Sequence, residues 1–254
     1  MRTVAAAPAV EFRNVSYHIG SRAILRNLTF AVAPAETLVL LGRSGSGKTT
    51  ALKMVNAMVY PSSGEVLVDG MPTTAWDPVT LRRRIGYVIQ EGGLFPHWTV
   101  EANIGVVPRL EQWPAARIGD RVRSLLSAIG LPHGEYAARR PRQLSGGQKQ
   151  RVGVARALAA DPPVLLFDEP FGALDPITRL ELQTLFVSLR NEFHKTALFV
   201  THDVAEALLV GTRIALLDRG DLAWIGPAAE FRNAGTPQAR EFVAYLNALE
   251  ARRA

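Results

Sequence analysis

A glycine-rich segment at residues 42–49 places the strongest constraint on how this chain can fold. Its sequence, GRSGSGKT, fits the pattern G-x-x-x-x-G-K-[ST] of a phosphate-binding loop. The wholly apolar run Thr37–Leu41 before it is typical of a buried parallel strand, and the residues after it predict a helix over 48–59. Strand, glycine loop and helix in this order are the context that a phosphate-binding loop requires.

The residue types within this loop point to a nucleotide. Glycines at positions 42, 45 and 47 let successive backbone N–H groups turn towards phosphates, and the following helix adds the positive charge of its N-terminus. Lys48 is predicted to neutralise the β- and γ-phosphates of a nucleotide, and the Thr49 hydroxyl is predicted to bind Mg²⁺. The predicted nucleotide ligands of this segment are Gly42, Arg43, Ser44, Gly45, Ser46, Gly47, Lys48, Thr49 and Thr50.

Two adjacent carboxylates, Asp168 and Glu169, follow an apolar run at residues 164–167 that predicts another buried strand. Ligands of open α/β sheets bind at the carboxyl ends of the strands, where these side chains are placed. Asp168 suits the coordination shell of a metal and is predicted to bind Mg²⁺. Glu169 suits the base that orients or deprotonates an attacking water.

The segment at residues 144–148, LSGGQ, lies upstream of these carboxylates. Ser145 and Gln148 have the S-x-x-Q form of a helix capping box. The same arrangement of a hydroxyl, glycine amides and a helix N-terminus also makes an anion site. Cap and phosphate ligand are compatible, and both are expected, so the predicted nucleotide ligands here are Ser145, Gly146, Gly147 and Gln148.

The pattern of strands and helices predicts an α/β fold. Residues 10–19 and 24–32 are rich in β-forming residues and are predicted to form an antiparallel hairpin. Helical periodicity dominates residues 99–161, where Ile118, Val122, Leu125, Leu126 and Ile129 share one face, and this predicts a helical insertion. Strands at 164–168, 196–201 and 213–218 alternate with helices, which implies a parallel sheet covered on both faces. A last amphipathic helix, with Phe242, Tyr245, Leu246 and Leu249, is expected to pack on its own domain.

Composition limits the kinds of partner that the chain can bind and the compartment in which it is expected. The net charge of +6 could suggest nucleic acid, but the arginines are scattered in short groups without interleaved aromatic residues, so no nucleic acid partner is expected. No run approaches the roughly 18 apolar residues that a spanning helix needs, and residues 1–8 are too short for a secretory signal. We therefore expect the chain in the cytosol unless a partner holds it at a membrane. The absence of cysteine fits a reducing compartment.

Taken together, these motifs resemble the nucleotide-binding subunit of an ATP-binding cassette (ABC) transporter over residues 9–230. The resemblance implies a P-loop NTPase cassette with a RecA-like parallel-sheet core, an N-terminal antiparallel β subdomain and a helical insertion subdomain, flanked by a flexible N-terminus (1–8) and a helical tail (231–254). It also implies ATP and Mg²⁺ as cofactors and ATP hydrolysis as the activity. The roles that it assigns are an adenine-stacking aromatic at Tyr17, the glutamine of the Q-loop at Gln90, which serves the metal and catalysis, the D-loop aspartate at Asp175, and the catalytic switch histidine at His202.

In that family two subunits pair head to tail, so that Ser145 and Gly147 of one copy contact the γ-phosphate held by Lys48 of the other. The resemblance therefore implies a homodimer that closes on ATP, opens after hydrolysis and drives transmembrane permease subunits. It places the chain peripherally at the cytoplasmic face of the cell (inner) membrane. An extracytoplasmic substrate-binding protein completes the implied complex.

A finer resemblance is carried by residues 84–100, RIGYVIQEGGLFPHWTV, and 48–56, KTTALKMVN. These segments are similar to ATPases of importers for glycine betaine, carnitine and choline. Arg43 replaces the commoner proline, Trp98 replaces a common methionine, and Lys149 follows residues 144–148, LSGGQ, which correspond to the signature of the family. Fewer than thirty residues follow Gly226, so the pair of regulatory CBS modules that many such ATPases carry is expected to be absent. Rival interpretations are an amino-acid importer, a lipid-trafficking system, and a soluble ABC ATPase outside transport.

Overall fold

The computed structural model describes residues 7–90 and 93–251. The described residues do not include most of the predicted flexible N-terminus or the last three residues. They also do not include Glu91 and Gly92, which belong to the segment 84–100 that carries the finer resemblance. The chain divides into two compact units. The first unit comprises residues 1–81 and 196–254, and the second unit comprises residues 82–195.

Strands and helices follow one another along the described residues with short connections. The strands are β1 (Val10–Ile19), β2 (Arg22–Val32), β3 (Thr37–Leu41), β4 (Ser63–Val68), β5 (Met71–Pro72), β6 (Ile85–Ile89), β7 (Val164–Asp168), β8 (Thr196–Thr201), β9 (Arg213–Asp218) and β10 (Asp221–Pro227). The α-helices are α1 (Lys48–Val55), α2 (Pro78–Arg83), α3 (Val100–Ile104), α4 (Val106–Leu110), α5 (Ala115–Ala128), α6 (His133–Tyr136), α7 (Gly146–Leu158), α8 (Pro176–Phe193), α9 (Val204–Val210) and α10 (Pro237–Ala251). Short 3₁₀ helices lie at Pro141–Gln143 and Ala228–Asn233.

The first unit contains the predicted antiparallel hairpin as part of a larger sheet. Its strands lie in the order β2-β1-β4-β5, all pairs being antiparallel. Phe12 and Phe30 are cross-strand partners whose rings stack with centroids 4.4 Å apart, and both are buried. Such an aromatic pair on the inner face stabilises the hairpin beyond the area that it buries.

The parallel strands β9, β3 and β8 form the other sheet region of the first unit, with β10 added antiparallel to β9. Every residue of β3 is buried. Helix α1 packs against β8 and α9 against β3, so this part of the sheet is covered by helices. An unbroken apolar run is what a strand of this kind needs, because both of its faces are removed from water.

The second unit combines the parallel pair β6 and β7 with a group of helices. Helix α7 packs on β6, and α3, α5 and α8 pack on α7. Gly86 in β6 allows the close approach of α7, because a Cβ there would lie 2.5 Å from the carbonyl oxygen of Ala157. The predicted apolar face of α5 is confirmed: Ile118, Val122, Leu125, Leu126 and Ile129 are all buried.

Two helices differ from the sequence prediction. Helix α1 ends at Val55 rather than at residue 59, because Ala57 adopts a left-handed backbone (φ 54°) and the N–H of Met58 bonds back to the carbonyl of Lys53. Helix α10 packs against α9 and β10 as expected, but Tyr245 of its predicted apolar face is 58% exposed. Leu246, the next residue, is the one that is buried. Within the described residues, no helix combines the length and the apolar character needed to cross a bilayer.

Candidate functional site

The phosphate loop follows β3 and leads into α1, as the sequence predicts. Lys48 is only 4% exposed, and its Nζ donates hydrogen bonds to the carbonyl oxygens of Gly42 and Arg43, each at 2.9 Å. A buried ammonium requires such acceptors, because desolvation without them is costly. The backbone of the loop therefore surrounds the ammonium group of Lys48.

The backbone of the loop leaves donors without acceptors. The N–H groups of Ser44, Gly45 and Gly47 have no acceptor among the described residues, whereas the N–H of Ser46 bonds to the carbonyl of Arg43. Gly47 caps the N-terminus of α1, where the helix dipole is positive. Backbone donors of this kind, next to a lysine ammonium, match the oxygen atoms of a phosphate chain.

Glycine is required at two positions of the loop for different reasons. Gly47 has φ 100°, and a Cβ there would overlap Cδ2 of Leu25. Gly42 has an extended backbone, but a Cβ there would overlap the carbonyl oxygen of Leu217. The loop is thus held between β2 on one side and the end of β9 on the other.

Gly47→Ala is expected to destabilise the folded chain by about 1–3 kcal/mol, since it combines a left-handed backbone with a clash against Leu25. Chemical denaturation without nucleotide measures this as a lower midpoint. Gly119→Ala is the matched control, because Gly119 lies in α5 with open space at its Cβ. That change should raise the free energy of unfolding by about 0.5–1 kcal/mol, and with it the midpoint, through helix propensity. A Gly47→Ala chain as stable as the wild type would contradict the packing described for the loop.

The other predicted residues of the first unit are Tyr17 and His202. Tyr17 is half-buried in β1, and its cross-strand partner in β2 is Leu25, the residue that packs against Gly47. The hairpin that carries Tyr17 therefore lies beside the phosphate loop. His202 is exposed and follows β8, whose last residue Thr201 is in register with Leu41, the last residue before the loop. His202 and the loop thus share one edge of the sheet.

In the second unit, β7 ends at Asp168 and the next residue, Glu169, has φ 44°. A glutamate in the left-handed region is strained by roughly 1–3 kcal/mol, and strain of this kind clusters at functional sites. The carbonyl of Glu169 accepts a hydrogen bond from the N–H of Gly172 at 3.2 Å, which closes a turn after the strand. The turn fixes the direction in which Glu169 leaves the sheet.

Gln90 lies at the same edge of the β6–β7 pair. Ile89 is in register with Asp168, so Gln90 and Glu169 both follow directly after paired residues. The Gln90 side chain passes close to Gly172, where a Cβ would be 3.3 Å from its Nε2. Gln150 of α7, which is buried, donates from Nε2 to the carbonyl of Ile89 at 3.3 Å. The second unit therefore brings three of the predicted residues to one edge: Gln90, Asp168 and Glu169.

The predicted capping box is confirmed at the start of α7. The Ser145 Oγ accepts from the N–H of Gln148 at 3.2 Å, and the Gln148 Oε1 accepts from the N–H of Ser145 at 2.9 Å. The Gln148 Nε2 also donates to the hydroxyl of Tyr136 at 3.2 Å. Ser145 and Gly146 are exposed, whereas Gly147 is buried.

Asp175 caps the following helix in the same way. Its Oδ1 accepts from the N–H of Thr178 at 3.1 Å, and hydrogen bonding from Thr178 lowers the pKa of the carboxyl below its ordinary value. Thr178 of α8 packs against the first turn of α7, since a Cβ at Gly147 would overlap its methyl group. The second unit therefore places the N-termini of α7 and α8 side by side.

Sequence reasoning missed the polar partners of these residues. The Tyr87 hydroxyl in β6 donates to Oδ2 of Asp168 at 3.2 Å, and Gln150 donates to the carbonyl of Ile89, the residue before Gln90. A polar residue in the strand preceding Gln90 is the one signal that could have singled out Tyr87.

Comparison with known proteins shows which family the chain belongs to. Residues 25–172, more than half of the chain, match the family model described as ABC transporter. The chain belongs to the ABC transporter family. A solved ATP-binding cassette, described as a dimer in a post-hydrolysis state bound to ADP and Pi, is 33% identical with a TM-score of 0.75; the match covers 86% of this chain and 98% of that one. The predicted ABC cassette fold is thereby confirmed.

Relatives of this cassette include ATP-binding proteins of osmoprotectant systems, as the finer resemblance predicts. The choline transport ATP-binding protein OpuBA of Bacillus subtilis is 47% identical over 225 residues, which are 88% of this chain and 59% of that protein. The osmoprotectant import ATP-binding protein OsmV of Salmonella typhimurium is 52% identical over 194 residues, which are 76% of this chain and 51% of that protein. The cassette thus spans about half to three fifths of the length of these two relatives.

The cassette is also similar to a protein of a different transport system. The sulfate/thiosulfate import ATP-binding protein CysA of Rhodopseudomonas palustris is 43% identical over 221 residues, which are 85% of this chain and 62% of that protein. Cassettes named for different cargoes therefore share much of the sequence of this chain.

Proposed function

We propose that this chain is the ATP-hydrolysing subunit of an ABC importer. The observation that carries the proposal is the phosphate loop, in which the N–H groups of Ser44, Gly45 and Gly47 have no acceptor among the described residues and lie next to the buried Lys48. These donors fit the phosphate chain of ATP. Membership of the ABC transporter family supports ATP over other phosphate ligands.

Each unit supplies residues with a distinct task. In the first unit, Lys48 neutralises the phosphates, the half-buried Tyr17 stacks on the adenine, and His202 acts as the switch histidine. In the second unit, Glu169 orients or deprotonates the attacking water. The strained turn after β7 fixes the direction in which the Glu169 side chain leaves the backbone.

Thr49, Gln90 and Asp168 are the residues that would hold Mg²⁺. Their hydroxyl, amide and carboxylate oxygens are ligands that this ion prefers. When bound, Mg²⁺ neutralises charge that develops on the phosphate oxygens. Asp168 contributes the negative charge of the set, and it follows four buried residues of β7.

Two copies of the chain form the working unit. Ser145 and Gly147 of one copy contact the γ-phosphate held by Lys48 of a second copy, so ATP becomes part of the interface. The capping box supports this role, because it fixes an exposed hydroxyl at the N-terminus of α7. The dimeric state of the similar cassette with ADP and Pi bound also supports it.

The cargo we propose is a quaternary-amine osmoprotectant such as glycine betaine, carnitine or choline. The names of OpuBA and OsmV support this assignment. The similarity to CysA makes sulfate the alternative cargo to test. The chain works peripherally at the cytoplasmic face of the cell membrane with permease subunits. An extracytoplasmic binding protein selects the cargo.

Uptake measured in the complex reconstituted with its permease and binding protein tests the cargo. We expect ATP-dependent uptake of labelled betaine, carnitine or choline, and no direct response of the isolated chain to these amines, because aromatic cages that recognise quaternary ammonium belong to the binding protein. A complex carrying Glu169→Gln is the control for coupling. Transport of sulfate, a polar amino acid or phospholipid without the amines would overturn the cargo and leave the ATPase assignment intact.

A further inference from the structure

A tyrosine inside the second unit makes contact with the proposed metal-binding carboxylate. Tyr87 lies in β6, and its hydroxyl donates to Oδ2 of Asp168 in β7 at 3.2 Å. The two strands are parallel, and the strand partner of Tyr87 is Leu166, two residues before Asp168. Residues two apart in a strand share a face, so the tyrosine ring leans along the strand to reach the carboxylate.

The chemistry of the pair allows one direction of hydrogen bonding. The phenol is half-buried, and this burial, followed by the charge of Asp168, raises the pKa of Tyr87 above its ordinary value. A protonated phenol is the donor of this pair, and an ionised carboxylate is its acceptor. The O···O distance of 3.2 Å is longer than is usual for a hydrogen bond to a carboxylate, so the contact guides the side chain of Asp168 without locking it.

We infer that Tyr87 is a positioning residue for Asp168: its hydroxyl restricts the rotation of the carboxylate and so prepares it to bind the divalent cation. The inference rests on the proposed function, in which Asp168 binds Mg²⁺. Groups that hydrogen-bond to a metal ligand orient it before the metal arrives, and their loss typically costs about 10–100-fold in metal affinity. Without the hydroxyl, the carboxylate has to be ordered at the moment of binding.

A second account of the same contact is purely structural. A half-buried tyrosine needs a partner for its hydroxyl, and Asp168 provides one. The two accounts differ in what Tyr87→Phe changes. A structural role predicts lower stability with unchanged metal affinity, whereas a positioning role predicts weaker metal binding in a chain that stays folded.

The test uses the full chain with a non-hydrolysable ATP analogue, and Mn²⁺ as the probe for the metal. We expect Tyr87→Phe to weaken the affinity for Mn²⁺ in the nucleotide complex by about 10-fold or more. Binding of the analogue in the presence of a chelator should stay within about 2-fold of the wild type. Tyr245→Phe is the matched control, because Tyr245 is 58% exposed on α10. It should leave both affinities unchanged.

Steady-state hydrolysis gives a second readout. The concentration of Mg²⁺ that supports half-maximal activity should rise about 10-fold in Tyr87→Phe, and kcat should return to near the wild-type value at saturating Mg²⁺. An affinity for Mn²⁺ within 2-fold of the wild type, or a kcat that stays low at saturating Mg²⁺, would overturn the positioning role alone. Wild-type protein whose nucleotide complex binds no Mn²⁺ would overturn the proposed function and this inference with it.

Discussion

Glu169→Gln is expected to retain ATP binding and to lose turnover by about 10²-fold or more. Groups that act as a general base or position water typically contribute 10² to 10⁴ in rate. The amide keeps the size of the side chain and the hydrogen-bonding turn around Glu169, so the loss is attributable to the carboxylate. Because hydrolysis opens the dimer in the proposed function, the variant should also accumulate as an ATP-bound dimer. Steady-state phosphate release and size-exclusion chromatography with ATP measure the two effects.

The control for this variant is Glu192→Gln, which removes one negative charge from an exposed position in α8. It should hydrolyse ATP at the wild-type rate. Near-normal hydrolysis by Glu169→Gln would remove this residue from the mechanism, and the strained turn at its backbone would then need another explanation. A variant that fails to bind ATP would instead show that Glu169 supports the fold of the site.

The parts of the site that could be predicted are those encoded within a few neighbouring residues. The apolar run of β3 and the glycine loop predict the strand, the turn and the start of α1, because burial and backbone freedom are local properties. The capping box is likewise contained in four residues, and both of its hydrogen bonds form. Local chemistry was sufficient in these cases.

The parts that could not be predicted depend on residues far apart in the chain. Strand β6 was not predicted from periodicity, because its five residues, IGYVI, become a strand by pairing with β7, which begins at Val164. Tyr87 and Asp168 are 81 residues apart, so no spacing rule connects them. The ion pair between Arg43 and Glu241, at 2.8 Å, likewise joins the phosphate loop to α10 across 198 residues.

The early end of α1, by contrast, has a local cause that the prediction overlooked. Residues 56–59 contain no glycine or proline, but Asn56 directly follows the last helical residue, and asparagine at that position is a signal for the end of a helix. Its Oδ1 accepts a hydrogen bond from the N–H of Met58 at 3.2 Å, and the buried Ala57 between them takes a left-handed conformation.

Ser145→Arg is expected to leave a folded chain that binds ATP through its own loop but hydrolyses it at least 10²-fold more slowly. Ser145 is exposed, so the longer side chain fits within a single copy and costs mainly the helix cap, about 0.5–2 kcal/mol. Across the proposed dimer interface, however, the arginine fills the space meant for the γ-phosphate of the second copy. Ser145→Ala loses the same cap without the added bulk, and it should retain more activity than Ser145→Arg at a similar stability.

Mixing Ser145→Arg with Lys48→Ala decides whether the site is shared between copies. In a head-to-tail dimer, a mixed pair places both substitutions in one site and leaves the other site with a native Lys48 and a native Ser145. Each variant alone should therefore be inactive, while the mixture should regain ATP hydrolysis from the mixed dimers. If Lys48 and Ser145 instead served one site within a single copy, every site in the mixture would carry a substitution and no activity would return. Recovery on mixing thus separates a shared site from one confined to a single copy.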